Sequence, residues 1–297
     1  MATAPFRAGF VAVVGRPNVG KSTLVNNVIG NKISIVTPKP QTTRHRLLAI
    51  CNRDDAQIVF VDTPGMHRGA AKAMNRLMNR AAANALADAD LILFVTEATR
   101  WTAEDEDVLQ RILDTATPAI AVLNKVDRVH PKEALLRALE EMAERHDFAE
   151  ILPISATRGV NVDRLLASIP RYLPRSEPLF PAEMVSDRGE SFFAAETIRE
   201  KLTLNLRQEV PYGLTVQIET LERDAGGVSI SAIIWVERES QKGIVVGKSG
   251  GLLKRVGQAA RLDMKDRFGV PVHLDLWVKV KDNWANNEQD LLRLGYE

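Results

Sequence analysis

Several features that mark particular classes of protein are missing from this sequence. The 297 residues include one cysteine, Cys51, so no disulfide can form within the chain, which fits a reducing compartment. No run approaches the roughly eighteen apolar residues that a membrane-spanning helix needs, and the N-terminal stretch MATAPFRAGF is too short and too little apolar for a signal peptide. We therefore expect a cytoplasmic protein, with peripheral membrane contact left open.

Neither basic nor acidic residues are in clear excess. The formal net charge is +1, with 26% charged and 45% hydrophobic residues, as in an ordinary globular protein. A polyanionic partner is neither indicated nor excluded by this balance, so basic character has to be sought locally.

Apolar strand-like runs alternate with helical patterns between residues 9 and 169. The runs are rich in β-branched residues, as buried parallel strands are, and the segments between them have apolar residues at helical spacing. This alternation predicts a doubly wound α/β domain with a mostly parallel sheet and helices on both faces. We assign this domain to residues 1–172.

The pattern changes at four closely spaced prolines, which predict an extended linker over residues 173–190. Beyond the linker we expect a small α+β domain over residues 191–282, followed by a helix or tail over residues 283–297. The last strand of this domain, VPVHLDLWVKV, alternates apolar and polar residues, so one face should be packed and the other wet.

The segment GRPNVGKS follows the first predicted strand and precedes a helix, which is the context of a phosphate-binding P-loop. Its backbone N–H groups would surround phosphate oxygens, Lys21 would reach the β- and γ-phosphates, and the Ser22 hydroxyl would bind Mg²⁺. The residues expected to contact the nucleotide here are Gly15, Asn18, Val19, Gly20, Lys21, Ser22 and Thr23.

Two further segments are expected at the phosphates. The tetrapeptide Asp62–Gly65 ends a strand, so Asp62 would hold Mg²⁺ and the Gly65 N–H would sense the γ-phosphate, with Thr63 and Pro64 between them. A threonine between the P-loop and Asp62 would be the remaining Mg²⁺ ligand. We choose Thr43 and leave Thr42 open. Lys21, Thr43 and Gly65 are the residues expected to act at the γ-phosphate during hydrolysis.

The segment Asn124-Lys125-Val126-Asp127 specifies the base. Guanine presents an N1–H and a 2-amino group that one carboxylate, Asp127, accepts together, whereas adenine would leave that carboxylate unpaired. Asn124 would bond N7 and brace the P-loop, and the stem of Lys125 would lie against the base. Ser155 and Ala156, after the fifth predicted strand, would direct backbone N–H groups toward O6. These residues predict a site for GTP and GDP.

In this order, the motifs resemble the guanine-nucleotide boxes of the translation-factor class of small GTPases. Where Ras-like switches have a glutamine after the glycine of DxxG, this chain has Met66, whose thioether cannot orient water. The resemblance implies a slow switch in which other groups support hydrolysis. Asn18 suggests a K⁺ ion that bridges phosphate oxygens, as in related GTPases, although it would equally serve to brace the loop.

The segment Gly247-Lys248-Ser249-Gly250 stands between two predicted helices and resembles the GxxG loop of a KH domain, which holds a single-stranded backbone. The order helix–strand–strand–helix–GxxG–helix–strand matches the bacterial, type II arrangement. Basic residues without acidic neighbours surround the loop. The expected RNA-binding residues are Gly247, Lys248, Ser249, Gly250, Lys254 and Arg255.

A GTPase domain with Met after DTPG, joined through a proline-rich linker to a KH domain, resembles the bacterial Era family over nearly the whole chain. The resemblance implies a role in small-subunit (30S) ribosome assembly, binding to the 3′ end of the small-subunit ribosomal RNA, no DNA partner, and some contact with the cytoplasmic face of the inner membrane. Two alternatives stay open, a non-catalytic assembly scaffold and a membrane-associated signalling GTPase that uses its KH fold for protein contacts.

Overall fold

The computed structural model describes residues 5–65, 72–207 and 210–296, which form two compact units. The first unit contains the described residues up to Val36, those from Thr43 to Gly65 and those from Asn75 to Asp187. The second contains the described residues from Arg188 onward, together with Thr37–Thr42 and a short segment ending at Met74. No helix among the described residues is both long and apolar enough to cross a membrane.

The first unit is built on a six-stranded sheet in the order β2-β3-β1-β4-β5-β6. All neighbouring strands run parallel except β2 and β3, which pair antiparallel. The strands are β1 Arg7–Val14, β2 Leu47–Asn52, β3 Ala56–Asp62, β4 Leu91–Glu97, β5 Ala119–Asn124 and β6 Glu150–Pro153. The predicted α/β class is confirmed. The sequence analysis missed β2, and the antiparallel edge strand is therefore a correction.

In the part of the first unit that the structure describes, five helices cover this sheet. They are α1 Lys21–Ile29, α2 Ala73–Ala87, α3 Ala103–Leu113, α4 Glu133–Arg145 and α5 Val162–Ser168. Apolar side chains of α2, α3 and α4 form one core with alternate residues of the central strands, such as Ala12 and Val14. The intervening residues Val11 and Val13 are also fully buried, and because successive strand residues face opposite ways they lie on the other face. On that side α1 packs beside α5 and β3.

The segment predicted as a linker is hydrogen-bonded to the first unit as far as Asp187. The N–H of Ala8 donates to Pro174 O at 3.2 Å, and the N–H of Ile50 donates to Val185 O at 3.0 Å. The Gln57 side chain also bonds both backbone groups of Phe180. Residues 173–187 thus belong to the first unit, because their backbone groups pair with its strands.

The second unit has a three-stranded sheet in the order β7-β8-β9, in which β7 and β8 are antiparallel and β8 and β9 are parallel. Its elements are α6 Glu190–Asn205, β7 Leu214–Asp224, β8 Gly227–Val236, α7 Glu239–Val246, α8 Gly251–Phe268, β9 Val272–Val280 and α9 Glu288–Arg293. This confirms the predicted order of a type II KH domain. The polar face of β9 is exposed as expected, whereas its apolar face beyond Val272 is only half-buried.

Candidate functional site

The carboxyl ends of the parallel strands bring the predicted nucleotide motifs to one edge of the sheet. Val13 in β1 is paired with Asp62 in β3, and Glu97 in β4 is paired with Asn124 in β5. The P-loop follows β1, which lies between β3 and β4. In open α/β sheets such a change in the direction of winding creates a crevice for a ligand.

The P-loop is held against residues 124–127, the base-recognition loop, at Gly20. Its φ of 106° lies in the left-handed region, and a Cβ atom there would be 2.2 Å from Nδ2 of Asn124. The same Nδ2 donates to Val19 O at 2.8 Å. Only glycine fits this approach, so the bracing role predicted for Asn124 is present in the structure.

Lys21 begins α1 and is buried. Its ammonium group donates to Gly15 O at 2.9 Å and to Arg16 O at 3.0 Å. Burial lowers the pKa of Lys21 from 10.5 to about 8; the negative charge of Asp62 opposes this effect and the positive charge of Arg16 adds to it. A bound polyanion would favour the protonated form, so this lysine is suited to gain a proton when phosphate enters.

The three predicted metal ligands come together. The Ser22 hydroxyl lies 2.8 Å from Thr43 Oγ1 and donates to Asp62 Oδ2 at 2.9 Å. Asp62 is fully buried, and its Oδ1 has no hydrogen-bond partner among the described residues. Burial raises the pKa of Asp62 despite hydrogen bonds from Ser34 and Ser22 and the charge of Lys21. A buried carboxylate with one bare oxygen, beside two hydroxyls, is the oxygen donor set that Mg²⁺ prefers.

Ser34 is a member of this cluster that the sequence analysis missed. Its hydroxyl donates to Asp62 Oδ2 at 2.8 Å, and the side chain of Asn26 fixes its backbone by accepting from Ser34 N and donating to Ser34 O. Ser34 lies outside every motif, in a loop far from Asp62 in sequence. Only its buried position in the fold identifies it.

The geometry distinguishes between the two threonines. Thr43 faces Ser22 and belongs to the first unit. Thr42 belongs to the second unit, where its hydroxyl lies 2.7 Å from Thr37 Oγ1 and donates to Lys39 O at 2.7 Å. Thr43 is thus the threonine placed at the predicted metal site.

The rest of the DxxG segment lies beside the P-loop. The Thr63 hydroxyl donates to Val13 O at 2.9 Å, and a Cβ atom at Gly65 would be 2.9 Å from Cγ of Pro17. Pro64 joins these two fixed residues. Met66, on which the prediction of slow hydrolysis rests, lies outside the described residues.

The base-recognition loop presents a negative charge. Asp127 accepts a 2.6 Å hydrogen bond from the Ser155 hydroxyl, and chiefly for this reason its pKa lies below the ordinary value. An ionised carboxylate is the state that accepts both guanine donors. Lys125 has a φ of 67° and its ammonium lies 3.2 Å from Glu97 Oε2.

The backbone N–H groups of Ser155 and Ala156, which are predicted to face guanine O6, have acceptors within the protein. The N–H of Ala156 donates to Asn124 Oδ1 at 2.9 Å, and the N–H of Ser155 donates to Val160 O at 3.1 Å. Contact of these groups with O6 stays a prediction. The Ser155 side chain also bonds Asp127, the carboxylate predicted to recognise the base.

Two P-loop residues frame the phosphate position. Asn18 has a φ of 64° and lies in the turn before Val19, and Thr23 is half-buried in the first turn of α1. These positions suit the contacts predicted for them.

The predicted RNA-binding loop joins α7 to α8 in the second unit. Gly247 has a φ of 73°, and a Cβ atom there would be 2.8 Å from Cβ of Leu252. Ser249 and Gly250 are also left-handed, with φ of 51° and 75°. This tight path turns the chain between two helices and leaves Lys248 exposed.

A groove runs beside this loop between α8 and β9. Its lining includes Lys254 and Arg261 among apolar residues, namely Gly250, Leu253, Gly257, Leu274 and Leu276. The half-buried leucines of β9 line this groove, which explains why that face is not fully packed. Arg261 was not predicted as a site residue, because the sequence shows only that it belongs to the basic patch. The predicted Arg255 is exposed and directly follows Lys254.

Together, the fold and these loops define a P-loop GTPase joined to a KH domain. A family model described as "50S ribosome-binding GTPase" matches residues 10–125, and a KH domain model matches residues 209–285.

Comparison with whole proteins is more specific. The chain is 47% identical to GTPase Era from Marinobacter nauticus over 97% of its length and 95% of that protein. It matches a crystal structure of an Aquifex aeolicus Era variant bound to GDP.AlF4⁻, with a TM-score of 0.95, 40% identity and coverage of 98% and 99% of the two chains. A structure of Era with MgGDPNP and nucleotides 1506–1542 of 16S ribosomal RNA matches with a TM-score of 0.94 and the same identity and coverage. The chain belongs to the Era family and is a GTPase.

The lowered pKa of Lys21 predicts proton uptake on nucleotide binding. Because the folded-state pKa is about 8 and a bound diphosphate raises it, GDP binding at pH 8 should take up about half a proton, and GDP affinity should fall as pH rises above about 8. Calorimetric binding enthalpies in two buffers of different ionisation enthalpy measure this uptake.

Lys21→Arg provides the control, because its guanidinium stays protonated in this pH range. Equal proton uptake by the wild type and the Lys21→Arg variant would contradict the assignment to Lys21.

Proposed function

We propose that this protein is a GTP-dependent switch that binds the 3′ region of small-subunit ribosomal RNA through its KH domain and acts in assembly of the 30S subunit. The observation that carries the proposal is the GKSG loop beside a groove with basic residues, in a chain whose relative was crystallised with a 16S ribosomal RNA segment. Operation in the cytoplasm, with peripheral membrane contact and without a DNA partner, is part of the same proposal.

The KH loop suits a single strand for electrostatic and steric reasons. Its two glycines, Gly247 and Gly250, have no side chains, so a sugar-phosphate backbone can approach the ends of both helices. Lys248 lies in the loop, and Lys254 and Arg261 lie along the groove, where they would neutralise phosphates. The half-buried leucines of β9 would provide an apolar surface for the bases.

At the nucleotide, each cluster would bind a different part of GTP or GDP. Asp127 would accept the two guanine donors, while Lys21 and the P-loop N–H groups would bind the phosphates. Ser22, Thr43 and Asp62 would hold Mg²⁺, which neutralises charge on the phosphate oxygens when bound. Ser34 and Ser22 bond the same oxygen of Asp62 and so leave Oδ1 to face a cation.

The switch would operate through the bond between Thr42 and Thr43. Thr43 lies at the metal cluster, whereas the backbone carbonyl of Thr42 accepts a hydrogen bond from the buried guanidinium of Arg199 on α6, within the second unit. Arg199 is itself oriented by Glu196, at 2.7 Å and 2.6 Å. Two neighbouring residues therefore have different partners, and movement of Thr43 with the γ-phosphate would be transmitted to α6.

Nucleotide-dependent RNA binding tests this function. We expect a short single-stranded RNA with the 3′-end sequence of the small-subunit ribosomal RNA to bind at least about tenfold more tightly with a non-hydrolysable GTP analogue than with GDP. Fluorescence anisotropy of the labelled RNA measures both affinities, and equal values would refute the coupling.

The same assay locates the RNA site. Lys248→Glu with Ser249→Glu should weaken binding at least about tenfold because the new charges repel phosphates, whereas basal GTP hydrolysis should not change. Lys132→Glu with Ala143→Glu, exposed positions in and beside α4, is the control with the same change in charge. Equal loss in the two variants would indicate a non-specific charge effect and count against the KH groove.

Substitution of Arg199 tests the coupling path. Arg199→Met removes the donor to Thr42 O, so the ratio of RNA affinities with GTP analogue and GDP should fall toward one, while GDP affinity stays within about twofold of the wild type. The matched control is Arg223→Met, because Arg223 pairs with another glutamate of α6, the exposed Glu190. An unchanged affinity ratio in Arg199→Met would exclude this path.

The proposed K⁺ site at Asn18 has a direct test. If K⁺ bridges the phosphates near Asn18, GTP turnover in KCl should exceed turnover in NaCl at the same ionic strength, and Asn18→Ala should abolish the difference. Equal rates of the wild-type protein in both salts would leave Asn18 only its role in the loop.

A further inference from the structure

A chain of charged side chains links the P-loop to the base-recognition loop, separately from Asn124. Arg16, in the P-loop, donates to Asp105 Oδ2 at 2.9 Å and to Glu97 Oε2 at 3.1 Å. The same Glu97 oxygen lies 3.2 Å from the ammonium of Lys125. Glu97 is therefore shared between a phosphate-binding and a base-binding segment.

The side chains of this network differ in their exposure to water. The Asp105 side chain is fully buried and Arg16 retains 8% of its exposure, while Glu97 and Lys125 retain 24% and 21%. Asp105 also accepts from the N–H and hydroxyl of Thr102 at the start of α3. The Arg16 end of the network is thus anchored, whereas its Lys125 end borders the crevice.

Glu97 is held where it faces Lys125 by the sheet itself. It is the last residue of β4 and is paired with Asn124 of β5, and the N–H of Ala98 donates to Asn124 O at 2.9 Å. Partial burial acts to raise the pKa of Glu97, but hydrogen bonds and charges from Lys125 and Arg16 prevail and lower the pKa. The carboxylate is therefore ionised at neutral pH.

We infer that Glu97 is a positioning residue for guanine recognition. It fixes the Lys125 side chain against the base and couples the position of this side chain to Arg16 of the P-loop. The inference rests on the assignment of Lys125 to the base. A free lysine side chain samples many rotamers, and binding that orders it costs conformational entropy. An ion pair at its tip restrains the stem before the nucleotide arrives, which favours slow dissociation.

Dissociation of a fluorescent GDP analogue, measured in a double-mutant cycle, tests the inference. Glu97→Gln keeps the shape and an acceptor oxygen but removes the charge, and it should accelerate dissociation about tenfold. In a Lys125→Met background the same substitution should accelerate dissociation less than about twofold, because Glu97 acts through Lys125.

Control variants separate positioning from a general loss of structure. Glu140→Gln makes the same chemical change at an exposed residue of α4 and should not alter dissociation. Glu97→Asp retains the charge one methylene further back and should give an intermediate rate. Thermal unfolding of each nucleotide-free variant reports its stability, and Glu97→Asp continues the test if Glu97→Gln does not fold.

Equal acceleration by Glu97→Gln in both backgrounds, or none in the wild-type background, would overturn the inference. If Lys125→Met alone leaves dissociation unchanged, the assignment of Lys125 to the base fails as well. If Lys125→Met accelerates dissociation and Glu97→Gln does not, only the role of Glu97 is refuted.

Discussion

The side-chain amide of Asn124 is the interaction on which the nucleotide site depends. It is buried, its nitrogen donates to Val19 O, and its oxygen accepts from the N–H of Ala156. One side chain therefore fixes the P-loop, the base-recognition loop and the loop after β6 to each other. Leaving either buried partner unsatisfied costs about 1–3 kcal/mol, so the three loops keep a common geometry before any ligand binds.

Charge burial is the second constraint on this site. Lys21 and Asp62 are both buried. Burial lowers the pKa of the lysine and raises the pKa of the aspartate, so it favours the neutral form of each group. Neither group improves the packing of the apolar core, so the unfavourable burial is explained by a ligand that supplies phosphate to one and a cation to the other. Arg16 is the opposite case, because two carboxylates of the first unit pair with its guanidinium.

The sequence predicted those features that depend on local pattern. Periodicity located the parallel strands and the helices that alternate with them. Strand β2 was missed because its sequence, LLAICN, shows no clear alternation and no motif accompanies it. Ser34 was missed because its role depends on a contact across the fold with Asp62. The motif could not distinguish Thr42 from Thr43, because the difference between them is the unit to which each residue belongs.

The pairing of residues 185 and 186 with β2 covers backbone groups at the edge of the first sheet. The N–H of Ile50 donates to Val185 O, and Ala49 forms an antiparallel bridge with Ser186. This short stretch occupies the outer side of a strand that would otherwise present unpaired backbone groups to other molecules. A first unit shortened to residue 172 would expose that strand, and its β2 would become a template for association between copies. The proline-rich stretch thus protects the sheet that it follows.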